Sequence, residues 1–285
     1  MSVTSGPAAV DPLLAPDDVP ALIGTATFLD VRWALGSTDG HERFLAGHVP
    51  GAAYVHLDTD LVGPRGDGAG GRHPLPDPER FAEVMRRCGV SGDRTVVVYD
   101  DVSGTSAARA WWLLVHHGHP DVRLLDGGWS AYAATGGPIA TGEEPVQPGD
   151  FVAGPGALPV LDADGAARVA RDGVLVDARA AARFRGEVEP VDPVAGHIPG
   201  AVNVPTAANL VEGRFASRDD LRATYARVGA DRPGVEVGAY CGSGVTAAHD
   251  VFVLRRLGID AALYAGSWSA WVADPSNPVA TGDDT

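Results

Sequence analysis

Cysteine is scarce in this chain: 285 residues hold only Cys88 and Cys241. Two thiols make neither a disulfide framework nor a zinc set. No apolar run reaches membrane-spanning length, so no transmembrane helix is expected. The opening residues Met1-Ser2-Val3-Thr4-Ser5-Gly6-Pro7 have neither a basic start nor an apolar core, and no signal peptide is expected. Positive charge is also in short supply. Lys and Arg together number 22 against 37 Asp and Glu, a net charge of −15. That balance argues against nucleic acid or an anionic membrane as a partner. An anionic substrate would have to be met by local dipoles and at least one Arg. A reducing cytoplasm suits unpaired thiols. What is present is ordinary for a globular chain. The length allows one to two domains, and an apolar content of 45% is enough for proper cores.

One of the two thiols has an informative setting. Cys241 lies in Tyr240-Cys241-Gly242-Ser243-Gly244-Val245-Thr246-Ala247. The upstream run 235–240 reads as a short buried strand, and 246–257 carries apolar residues at helical spacing. A cysteine at such a turn faces the N–H groups that open the helix, and the helix dipole adds to their pull on an anion. The thiol pKa is expected to fall there. Gly242 and Gly244 let the loop curl so that several N–H groups point inward. The pattern indicates a nucleophilic cysteine in an anion-binding cradle. Cys88, on the apolar face of a predicted helix, reads as core packing.

Self-comparison divides the chain. Leu29-Asp30-Val31-Arg32 recurs as Val176-Asp177-Ala178-Arg179. Gly47-His48-Val49-Pro50-Gly51-Ala52 recurs as Gly196-His197-Ile198-Pro199-Gly200-Ala201. Leu125-Asp126-Gly127-Gly128-Trp129-Ser130-Ala131-Tyr132 recurs as Tyr264-Ala265-Gly266-Ser267-Trp268-Ser269-Ala270-Trp271. Four matches in one order, counting Val96–Tyr99 against Val237–Tyr240, make two copies of one domain. The expected division is residues 1–137, a Gly-, Pro- and Glu-rich connector at 138–158, and residues 159–285.

Strands are predicted at 26–31, 95–99 and 122–125, and again at 173–176, 235–240 and 261–264. Helices are predicted after the N-caps Asp77 and Ser217, the latter with Asp220 in a capping box. Strands alternating with helices imply α/β domains, each a mostly parallel sheet flanked by helices. Ligands of such sheets sit at the carboxyl ends of strands, where Cys241 falls. Its counterpart in the first copy is Asp100, which cannot act as a sulfur nucleophile. The first domain is therefore expected to support the cleft. His48 and His197, at matching positions, suggest a shared turn hydrogen bond. Trp129, Trp268 and Trp271 read as wedges between helix and sheet. His116, His117 and His119 read as a solvated helix end without ligand spacing for a metal.

These motifs resemble the tandem rhodanese family of sulfurtransferases over about residues 19–271. The loop Cys241-Gly242-Ser243-Gly244-Val245-Thr246 is similar to that of 3-mercaptopyruvate sulfurtransferases, because it lacks the basic side chains usual in thiosulfate-using members. The resemblance implies that Cys241 takes a sulfane sulfur and passes it from a persulfide to a thiophilic acceptor such as cyanide, a thiol or thioredoxin. No metal or organic cofactor is needed. Arg183 matches the family Arg that binds the small anionic donor, while Gly242, Gly244, Val245 and Thr246 form the cradle. Ser243, His73 and Asp58 match a proton relay, which would place the site across the domain boundary. A second family Arg is replaced here by Val191, leaving Arg72 and Arg185 as candidate substitutes. Thiosulfate remains the alternative donor. Two other classes stay open: a non-catalytic rhodanese binding module, and a cysteine phosphatase, whose longer loop ends in an Arg absent here.

Overall fold

The computed structural model describes residues 11–66, 68 and 70–283. The Met1–Pro7 stretch read for a signal peptide lies outside them. No helix among the described residues is long and apolar enough to cross a membrane.

The first half builds five strands, β1 (Leu13–Leu14), β2 (Thr27–Asp30), β3 (Ala53–Tyr54), β4 (Val96–Tyr99) and β5 (Val122–Leu125). They pair in parallel in the order β1-β5-β4-β2-β3. The second half repeats the plan. Strands β6 (Val160–Leu161), β7 (Val174–Asp177) and β8 (Val202–Asn203) precede a hairpin of β9 (Leu210–Val211) and β10 (Arg214–Phe215). Strands β11 (Val237–Tyr240) and β12 (Ala261–Tyr264) follow. The second sheet runs β6-β12-β11-β7-β8, again all parallel. The main strands are buried along their whole length, as expected of a parallel sheet covered on both faces.

Several predicted ends shift. The run 26–31 contracts to Thr27–Asp30, 235–240 contracts to Val237–Tyr240, and 173–176 moves to Val174–Asp177. Hydropathy continues past the last ladder bond, whereas a strand needs a neighbour opposite it. The caps form at Asp77, which accepts from Glu79 and Arg80 N–H groups, and at Ser217. The Ser217 hydroxyl accepts from the Asp220 N–H, as a capping box requires, and donates to the Asp220 carboxylate.

The repeated residues hold equivalent corners. Asp30 grips Arg32, and Asp177 grips Arg179 at 2.7 Å, all four side chains buried. Each Arg also donates to the carbonyl of the following Gly-His segment, Gly47 or Gly196, at 2.6 Å. His48 and His197 bond the carbonyls of Phe44 and Phe184 and stack on their rings. Trp268 and Trp271 are buried, and the Arg179 guanidinium lies 4.6 Å from the Trp268 ring centre.

The two halves share one core. Trp111, on the helix Ala107–His116, meets Phe252, on the helix Ala247–Arg256, edge-on at 4.9 Å. Each domain also lends a segment to the other. The β10 residue Phe215 donates its N–H to Asp126, and Arg72 donates its N–H to Ser269 Oγ at 3.0 Å. The 138–158 segment is packed along the first domain. Phe151 is buried against Phe81, and Gly154 and Ala157 donate to His117 and His116 carbonyls. The histidine cluster therefore differs from the predicted solvated helix end. His117 and His119 are buried, and His116 Nδ1 bonds the Leu158 carbonyl. Tertiary contact converts a polar helix end into a clasp for the connector.

Candidate active site

Parallel strands aim their carboxyl ends at one edge, and β11 ends there at Tyr240, beside Asp177 of β7. Cys241 is the next residue and is only 1% exposed. The chain then turns back under its own sulfur. The N–H of Gly244 points at Cys241 Sγ from 3.1 Å, and that of Ser243 from 3.4 Å. Gly244 has φ +81°, and a Cβ there would stand 2.1 Å from the Ala265 carbonyl oxygen; only glycine fits the turn. Ser267 holds the other side. Its hydroxyl accepts from the Cys241 N–H at 3.1 Å and lies 3.9 Å from the sulfur. Two backbone donors face that sulfur, while the Ser267 hydroxyl donates to the Tyr264 carbonyl at 2.9 Å.

Above the loop lies a cleft of about 390 Å³, lined among others by Trp33, Arg72, Arg183, Ser243, Val245 and Thr246. The guanidiniums of Arg72 and Arg183 converge over Gly242. A Cβ on that glycine would stand 3.0 Å from Arg72 Nη2 and 3.4 Å from Arg183 Nη1. Glycine keeps this space open for a small anion. Arg185 is turned away, paired with exposed Glu187, so of the two candidate substitutes Arg72 faces the cleft. Val191 is exposed. Both cleft cations are already paired. Arg183 bonds Glu189 at 2.6 Å and Asp192 at 3.3 Å, and Arg72 bonds Asp192.

His73 and Asp58 meet as a pair, Nε2 to Oδ1 at 3.1 Å. The indole N–H of Trp33 donates to the other Asp58 oxygen at 2.7 Å, and its ring meets His73 edge-on. Burial pushes the His73 imidazole down to about 4, although Asp58 pulls the other way. It is therefore neutral at pH 7. Its Nδ1 is buried without a partner among the described residues. Ser243 lines the same cleft, yet its hydroxyl makes no hydrogen bond to His73 among the described residues. The structure thus joins two of the three predicted relay residues and leaves the third beside the nucleophile. Among the described residues, no cluster of His, Cys, Asp or Glu could hold a metal ion.

A family model described as a rhodanese-like domain matches residues 15–135 and 162–274. The chain belongs to the rhodanese-like family. This tandem rhodanese-family sulfurtransferase is 48% identical over 261 residues to the probable 3-mercaptopyruvate sulfurtransferase of Pseudomonas aeruginosa, covering 90% of this chain and 92% of that protein. It is 46% identical over 264 residues to a putative thiosulfate sulfurtransferase of Mycobacterium tuberculosis, covering 90% and 91%. Among solved structures, that of the Escherichia coli 3-mercaptopyruvate sulfurtransferase SseA superposes with a TM-score of 0.79 at 30% identity, covering 91% of this chain and 99% of that one.

The rhodanese repeat supplies an internal control on the cradle. In the first domain Asp100 takes the place of Cys241, and its carboxylate fills the equivalent loop. One oxygen accepts from the N–H groups of Val102 and Gly104, and the other from Ser106 N–H, Ser106 Oγ and Ala107 N–H, all at 2.8–2.9 Å. The same backbone turn aims N–H groups at the side chain in both domains, a carboxylate in the first and a sulfur in the second.

Two contributors escaped the sequence reading of this rhodanese pair. Arg109, in the first domain, is fully buried. It donates to the carbonyls of Gly244 in the Cys241 loop and of Leu61, His73 and Pro74. It has no carboxylate partner among the described residues; burial lowers it to about 10, and the Cys241 sulfur is the charge that opposes this. The signal was an Arg inside the apolar helix run Ala-Ala-Arg-Ala-Trp-Trp-Leu-Leu. Ser267 is the other. Its φ of +54° is uncommon for a residue with a side chain, and its repeat counterpart, Gly128, has φ +59°. The alignment of a serine with that glycine was the available clue.

Proposed function

We propose that this sulfurtransferase moves a sulfane sulfur from 3-mercaptopyruvate to a thiophilic acceptor through a persulfide on Cys241. The observation that carries the reading is a single sulfur atom, cradled by two backbone N–H groups, in a loop whose Gly242 and Ser243 line a cleft with two guanidiniums above it. The donor's carboxylate suits Arg183 and Arg72, since a planar guanidinium matches a pair of oxygens. The Cys241 thiolate attacks the donor sulfur. The carbon–sulfur bond breaks, and its electron pair passes to carbon as the enolate of pyruvate. The donor's thiol proton ends on that carbon. Neutral His73, oriented by Asp58, suits the proton transfer together with Ser243. The persulfide anion left on Cys241 is stabilised by the amides of Gly242 to Thr246.

An acceptor then removes the outer sulfur and restores the thiolate. Cyanide would leave as thiocyanate; a thiol or reduced thioredoxin would take the sulfur as its own persulfide. Residues 159–285 carry the nucleophile, residues 1–137 frame the cleft, and 138–158 join them. The route uses no cofactor and needs a reducing compartment such as the cytoplasm to keep Cys241 free. Thiosulfate is the second reading, favoured by the name of the mycobacterial relative. Thiocyanate formation with each donor, side by side, ranks the two. Intact mass after donor treatment should rise by one sulfur atom in the wild type and not in Cys241→Ser. Full activity in Cys241→Ser would overturn the mechanism.

A further inference from the structure

We propose that Asp192 is a specificity-determining residue, a built-in carboxylate that limits the negative charge a donor can carry into the cleft. The inference rests on the sulfur-transfer reading above and adds to it the choice between donors. Three guanidiniums, Arg72, Arg179 and Arg183, meet three carboxylates, Asp177, Glu189 and Asp192, at the mouth of the site. Two of these carboxylates are fixed parts of the frame. Asp177 is locked to Arg179 at the end of β7. Glu189 bonds Arg179 and Arg183 and also accepts the N–H groups of Val191 and Asp192, so it shapes its own loop.

Asp192 is different. Its carboxylate makes its contacts with the two guanidiniums that face the cleft, one oxygen on Arg72 and the other 3.3 Å from Arg183. It is almost wholly enclosed, with 4% of the side chain exposed. It thus bonds, from the enclosed side, the same two cations that face the open space over Gly242. A donor must share those guanidiniums with it or displace it.

The consequence depends on charge. With Asp192 present the mouth is close to neutral, so each negative charge on the donor meets little net attraction. A keto acid with a protonated thiol carries one charge. Thiosulfate carries two. The carboxylate of Asp192 repels both, but it repels the dianion about twice as strongly. At separations of roughly 6 Å and a permittivity of about 20, one extra unit of charge changes relative affinity by tenfold or more, even after partial screening.

The test is kcat/KM for 3-mercaptopyruvate and for thiosulfate in the wild type, Asp192→Asn and Asp192→Glu, with folding checked by circular dichroism. Asp192→Asn should raise the thiosulfate-to-mercaptopyruvate ratio at least tenfold, with a smaller rise at high salt. Asp192→Glu, which keeps the charge, should leave the ratio near the wild-type value. Arg72→Gln, an independent variant, should move the ratio the opposite way. An unchanged ratio in Asp192→Asn, while Cys241 still becomes persulfidated, would overturn the inference and leave the sulfur-transfer reading standing. If neither donor persulfidates wild-type Cys241, the sulfur-transfer reading fails, and the inference with it.

Discussion

Replacing Asp100 by Asn tests the physical idea behind the whole site. The Asp100 carboxylate accepts five hydrogen bonds in the first-domain loop and is wholly buried. An amide is nearly the same shape but has only one oxygen. If its nitrogen takes the place of Oδ1, it faces the N–H groups of Val102 and Gly104. If it takes the place of Oδ2, it faces Ser106 N–H, Ser106 Oγ and Ala107 N–H. Either way at least two accepted bonds vanish, and donor is set against donor. A hydrogen bond to a charged group contributes about 1.5–3 kcal/mol, so the loss should be about 3 kcal/mol or more. That corresponds to a fall in Tm of about 6–12 °C for a domain of this size. The assay is thermal and urea unfolding of the purified chain, with sulfur transfer measured on the folded variant. Stability should drop while Cys241 persulfidation persists, because all five Asp100 bonds are to its own first-domain loop. If Asp100→Asn unfolds with the wild type, the cradle does not favour an anion. The same backbone argument for Cys241 then falls with it.

Other outcomes follow from the same geometry. Gly244→Ala should cut sulfur transfer at least tenfold, since its Cβ would meet the Ala265 carbonyl at 2.1 Å and drag the Gly244 N–H off the sulfur; steady-state kinetics on folded protein reads this. Arg109→Met should destabilise the chain by about 1–3 kcal/mol, because buried carbonyls lose their donor, and should also slow alkylation of Cys241 by iodoacetamide near neutral pH. Unaltered stability and alkylation would refute that role. His73 gives a pH signature. Its folded value of about 4 lies below the ordinary 6.5, so between these values the unfolded chain binds a proton that the folded chain refuses. Its contribution is present above pH 6.5 and is lost as pH falls toward 4, at up to about 1.4 kcal/mol per pH unit. His73→Gln should remove this part of the acid slope in urea titrations.

Local order was legible wherever neighbours in the chain do the work. The strand end at Tyr240, the glycines after Cys241 and the helix caps at Asp77 and Ser217 depend on residues within a turn of each other. The repeat was legible because two copies of one fold must solve the same corner problems. Asp30 with Arg32 and Asp177 with Arg179 do so with the same bonds. The histidine run 116–119 was misread as solvated because nothing local marks a helix end that another segment will cover. Arg109 was missed because a lone Arg in an apolar helix reads as an exception until the loop it supports lies across it.

The amino-acid order alone determined two tandem α/β domains, a cysteine at a strand-to-helix turn, and an acidic residue in its place in the first copy. These are patterns of propensity, periodicity and backbone freedom, all short in range. Only the tertiary structure decided which charges meet. It set Arg72 beside Arg183, placed Asp192 between them, and put Arg109 of one domain under the loop of the other. The Arg72–Asp192 and Arg109–Gly244 contacts join residues more than a hundred positions apart, whereas Arg183 and Asp192 are nine apart. Their strength depends on distance and burial, and neither exists until the two sheets pack.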